Sequence, residues 1–86
     1  MSVIALMESG EALARRSQID QSISVFKDVI NHPDVTLFLK NSARLSLSAL
    51  FEQQKQWEEA ELILESIDKS SWNDVRLRAL DRIAVD

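Results

Sequence analysis

The sequence predicts an all-α protein of antiparallel helical hairpins, and two observations carry that prediction. The first is an internal echo. Gly10, Leu13, Ile19, Ser22, Phe26 and Val29 are followed 38 residues later by Ser48, Phe51, Trp57, Ala60, Leu64 and Ile67, so small and large side chains recur in the same order with the same gaps. A period of this kind, with helical spacing inside each copy, is the signature of stacked helical hairpins. The second is composition. One Gly and one Pro in 86 residues are too few for a β-rich chain, which needs turn formers at many corners. The dominant residues, Ala, Leu, Ser, Glu, Gln and Arg, are mostly good helix formers. The length suits a single domain, 1–86, with a limited core and modest stability. A hydrophobic content of 45% argues against disorder.

About five helices are expected. The first, 2–16, turns Ile4, Ala5, Leu6, Ser9, Gly10 and Leu13 inward at helical spacing. Gly10 costs about 1 kcal/mol relative to Ala in a helix interior, which points to close approach by another helix. Ser17 with Asp20 reads as a capping box opening a second helix that runs to about residue 31, with a stripe of Ile19, Ser22, Ile23, Phe26, Val29 and Ile30. His32-Pro33-Asp34 stops it, because Pro disfavours helical geometry in the residue before it. Asp34 is the expected cap of the third and longest helix, 35–54, whose first turn (Val35, Leu37, Phe38, Leu39) is unusually apolar. Residues 53–56 form a polar corner. The fourth helix, 57–67, turns Ala60, Ile63, Leu64 and Ile67 inward and its glutamates outward. Ser71 with Asp74 repeats the capping signal for a fifth helix, 72–85.

The chemistry of enzymes and metal sites is missing from the pattern. There is no cysteine, and the single His32 lies beside Pro33 and reads as a loop residue. No Gly-rich loop could cradle phosphate, and no nucleophile elbow occurs. Glu58, Glu61 and Glu65 share a helix face and read as a solvated acidic stripe, or as an attraction for a basic partner. Arg78 and Arg82 share a face, with Arg76 nearby, and local pairing with Asp74 and Asp81 is the favoured reading. The net charge of -4, with bases spread along the chain, argues against nucleic acid. No stretch is apolar enough to insert in a membrane, and the N-terminus lacks the charge pattern of a signal peptide, so a cytoplasmic location is the default expectation. Neither a cofactor nor a metal is expected, and the protein reads as non-enzymatic.

The small and large positions resemble the tetratricopeptide repeat, a helix-turn-helix unit of about 34 residues. Gly10 with Leu13, and Ser48 with Phe51, match its small-then-large positions on the first helix. Trp57, Ala60 and Leu64 match the corner and second helix well; Ile19, Ser22 and Phe26 match more loosely. The match gives a first repeat at about 3–33, a second at about 35–68, and a capping helix at about 72–85. It departs in three ways. About one extra turn is inserted, placed at Val35 to Phe38. The early aromatic is replaced by Leu6 and Arg44, and Ser22 stands where the second copy has Ala60.

The resemblance implies a short right-handed superhelical array whose concave face carries the first helix of each hairpin. It implies a non-catalytic module for protein-protein interaction that binds a peptide or an amphipathic helix there. The candidate contact residues are Ile4, Met7 and Glu11 from the first helix and Leu45, Ala49 and Glu52 from the third, with Phe38 in the inserted turn as a second adhesive point. Met7 and Leu45 have packing against a neighbouring helix as their alternative. Some members hold peptide C-termini through a carboxylate clamp; Met7, Glu11, Ser42 and Ser46 at the matching positions cannot form one. The implied partner is another protein or peptide, with a homodimer as an alternative. A second functional reading is a small dedicated chaperone of a bacterial secretion or assembly system that sequesters a subunit.

Overall fold

The computed structural model describes residues 2–67 together with Ala79, Leu80 and Ile83. Those residues are all-helical in their regular structure: α1 (Val3–Arg15), α2 (Ile19–Ile30), α3 (Leu37–Gln53) and α4 (Trp57–Glu65), with no strand among them. Ala79, Leu80 and Ile83 are also helical, and Ala79 and Ile83 are buried. The rest of the fifth expected helix, including Trp72, Arg76, Arg78 and Arg82, lies outside the described residues.

Ser2 caps α1, its Oγ accepting from the Ala5 amide at 3.1 Å. The corner between α1 and α2 corrects the expected capping box. Ser17 does not cap α2; it takes the left-handed conformation at φ 61°. Its amide donates to the Ala14 carbonyl at 3.1 Å, and the Gln18 amide donates back to the Leu13 carbonyl at 2.9 Å. This pair of bonds is a Schellman ending, which satisfies the last carbonyls of α1. A capping serine must be extended, and the left-handed backbone at Ser17 excludes that. Gln18 is the cap residue of α2, without a side-chain cap bond.

The same corner recurs 38 residues later. Lys55 has φ 60°, its amide donates to the Glu52 carbonyl at 2.9 Å, and the Gln56 amide donates to the Phe51 carbonyl at 2.9 Å. The sequence echo is thus an echo in backbone geometry, although neither left-handed position carries the glycine that it favours.

The connection from α2 to α3 is also corrected. Asp34 is held in a turn: its amide donates to His32 Nδ1 at 3.0 Å, and the Val35 amide donates to the His32 carbonyl at 3.2 Å. Thr36 caps α3 instead, its Oγ1 accepting from the Leu39 amide at 3.2 Å. The third helix therefore has 17 residues and begins at Leu37, two residues later than expected, leaving Val35 and Thr36 in the connection. The fourth ends at Glu65, short of the expected residue 67.

Packing follows chain order, α1 on α2, α2 on α3 and α3 on α4. Gly10 fulfils its expected role. A Cβ placed there would lie 2.9 Å from the tip of the Phe26 ring, which real side chains do not tolerate without a shift. Beside it, the buried Ser22 hydroxyl donates to the Gly10 carbonyl at 2.7 Å, tying α2 to α1. Phe26, Val29, Ala43, Leu47, Ala60 and Leu64 form the centre of the core, which Ile67, Ala79 and Ile83 extend. Two polar residues enter hairpin two where hairpin one has Val3 and Leu6. Arg44 Nη1 donates to the Ser66 carbonyl at 3.0 Å, satisfying the end of α4, and reaches Asn41 Oδ1 at 3.4 Å. Asn41 is fully buried, and its Nδ2 has no hydrogen-bond partner among the described residues.

Candidate functional site

Because α2 packs against both α1 and α3, the first helices of the two hairpins stand on one side of it with an open groove between them. The groove measures about 330 Å³ and is lined by Glu11, Ala14 and Arg15 of α1, Phe26 of α2, and Ser46, Ala49, Leu50 and Gln53 of α3. Small residues on both walls (Ala14, Ser46, Ala49) keep the helices from filling the space, and Phe26 and Leu50 form an apolar floor. Glu11 and Arg15, four apart on one helix face, put opposite charges on the α1 rim. Ser46 and Gln53 leave the α3 rim neutral.

Of the seven candidate residues, the groove brings together Glu11 and Ala49. Ile4 is 61% exposed and lies seven residues before Glu11, on the same face of α1, so it extends the α1 wall toward the helix start. Met7 takes its packing alternative. It is only 8% exposed and belongs to the core, because it sits on the side of that face nearest the buried Gly10, three residues on. Leu45 is half-buried and packs against the core, and Glu52 is half-buried. Phe38 is 64% exposed at the start of α3, away from the groove lining, with Leu37 exposed beside it.

Ala14, Phe26 and Leu50 were not among the expected contact residues. Phe26 belongs to the apolar stripe of the second helix and is core, as is Leu50; the groove uses their edges. The available signal was the small Ala14 on α1, opposite Ser46 and Ala49 on α3, which lets the groove reach down toward the covered Phe26 ring.

Glu58, Glu59, Glu61 and Glu65 are all exposed. Among the described residues, no group of three or more His, Asp or Glu side chains is placed to hold a metal ion, and no helix is long and apolar enough to cross a membrane. No family model matches this chain, and neither a curated protein nor a solved structure matches it.

Proposed function

We propose that this protein is a non-catalytic interaction module, a pair of tetratricopeptide-like hairpins whose α1/α3 groove takes one apolar face of a peptide or amphipathic helix. The observation that supports the reading is the groove itself: an apolar floor of Phe26 and Leu50 between walls of small residues, with polar groups only at the rim. Such a trough suits side chains presented at helical spacing. The 38-residue echo supports the tetratricopeptide-like comparison, since both hairpins turn the same corner.

The test is Ala49→Glu. Ala49 is exposed, so the change leaves the core intact, and it puts a carboxylate over the apolar floor. Proteins captured by the wild-type chain should be lost from the variant while its melting temperature holds. Capture that survives the substitution would remove the groove from consideration.

The exposed Leu37 and Phe38 favour a second reading, the dedicated chaperone that sequesters a subunit of a secretion or assembly system. Such a chaperone is expected to be unstable alone and to co-purify in a one-to-one complex. An adaptor is expected to purify as a stable monomer or homodimer with exchangeable ligands.

A further inference from the structure

The opposite side of the molecule carries a different surface. Between α2 and α4 lies a second groove of about 200 Å³, lined by Lys27, Phe51, Glu59, Leu62 and Ile63. Leu62 is 67% exposed at its edge. The groove is smaller than the roughly 300–1,000 Å³ of small-molecule pockets, so it suits a single side chain anchored by a larger contact.

Charge separates the two sides. On α2 and α4, six carboxylates (Asp20, Asp28, Glu58, Glu59, Glu61, Glu65) stand against Lys27 alone, and all seven side chains are exposed. On α1 and α3, Glu8, Glu11 and Glu52 are balanced by Arg15, Lys40 and Arg44. Among the described helices, the excess of negative charge therefore lies on the second helix of each hairpin, most of it on α4.

Helix electrostatics account for only part of this. Glu58 and Glu59 sit in the first turn of α4, where the helix dipole favours anions. Glu65 is the last residue of the same helix, where the dipole disfavours them, and no base accompanies it in that turn. Glu61 and Glu65 are also like charges four apart, a destabilising arrangement on a helix face. A cationic partner would offset both costs.

We infer that the α2/α4 face docks a basic amphipathic helical segment of a partner protein, placing an apolar side chain against Phe51, Ile63 and Leu62 and its lysines or arginines over Glu58, Glu59 and Glu65, the carboxylates that flank Leu62. The inference is independent of the α1/α3 groove and would make the protein two-sided.

The experiment uses the full chain and two labelled model peptides of about 14 residues, roughly four helical turns. One is an amphipathic leucine–lysine helix and the other its leucine–glutamate counterpart. Fluorescence anisotropy should show binding of the first and none of the second. Amide chemical shifts should move at Lys27, Phe51, Leu62 and Ile63. Leu62→Ser, at an exposed position, should weaken binding about tenfold without changing the fold. Glu58→Gln with Glu65→Gln, one turn either side of Leu62, should weaken it and flatten its salt dependence. Three results would each overturn the inference: failure to bind the lysine peptide, equal binding of both peptides, or shifts centred on Glu11 and Ala49. Unchanged affinity in Leu62→Ser would also overturn it, reducing the face to diffuse charge attraction.

Discussion

The hairpin of α1 and α2 and the hairpin of α3 and α4 turn the same corner but close the space between their helices differently. In the first, Gly10 opens a place for the Phe26 ring. In the second, the matching positions hold Ser48 and Leu64, both buried. Side-chain volume has moved from the second helix to the first, as close packing of an interior requires when one partner grows. The hydroxyls are also exchanged. Ser22 donates across the hairpin to the Gly10 carbonyl at 2.7 Å. Its counterpart, Ala60, has no hydroxyl, and Ser48 donates within its own helix to the Leu45 carbonyl at 2.7 Å. At these positions hairpin one is joined by a hydrogen bond and hairpin two by apolar closure; hairpin two carries its cross-helix bond elsewhere, from Arg44 to the Ser66 carbonyl. A divergent repeat therefore preserves backbone geometry and total volume before it preserves any one contact.

The comparison breaks most visibly if the volume exchange is made incomplete. Gly10→Ser puts a Cβ and a hydroxyl under the Phe26 ring and should cost about 1–3 kcal/mol by overpacking. Gly10→Ser with Phe26→Leu reproduces the pairing of hairpin two and should recover part of that loss. Urea denaturation of the two single variants and the double variant measures the coupling; additive losses would show that Ser48 and Leu64 do not compensate one another as argued.

A smaller effect separates the two hydroxyls. Ser22→Ala should cost about 0.5–1.5 kcal/mol, since it removes a buried bond between helices. Ser48→Ala should cost less, because its bond lies within one helix, and such bonds add little to helix stability. Equal losses in thermal melts would make the cross-hairpin bond at Ser22 no different from the local one.

The smallest effect concerns what the hairpins share. Ser17 and Lys55 both occupy left-handed backbone that suits glycine. Ser17→Gly and Lys55→Gly should each stabilise the fold by about 0.5–1 kcal/mol, by nearly the same amount. Unequal gains would show that the two corners differ in strain despite matching dihedral angles.

Much of the fold was legible in the chain. The helix positions followed from apolar spacing, Pro33 marked the end of α2, and Gly10 announced the close approach that the Phe26 ring makes. Caps were less legible, since Ser17, Asp34 and Thr36 all carry oxygen acceptors and only the path of the chain selects among them. The site was legible in part. The resemblance offered Ile4, Glu11 and Ala49 as contacts, and all three are exposed, although spacing alone turns Ile4 inward; Met7, offered as contact or core, is core. Nor does any local pattern mark Arg44 as a partner of the end of α4, because that contact joins positions 22 apart.

Sequence alone determined the helical class, the hairpin period and the residues small enough to sit between helices, because these depend on repeat spacing and on side-chain size. The tertiary structure decided which edge of each apolar stripe is covered, which hydroxyl caps and which bends left-handed, and where grooves remain. Those outcomes depend on the angles at which one helix meets the next, and a helix does not encode in itself the direction from which its neighbour arrives.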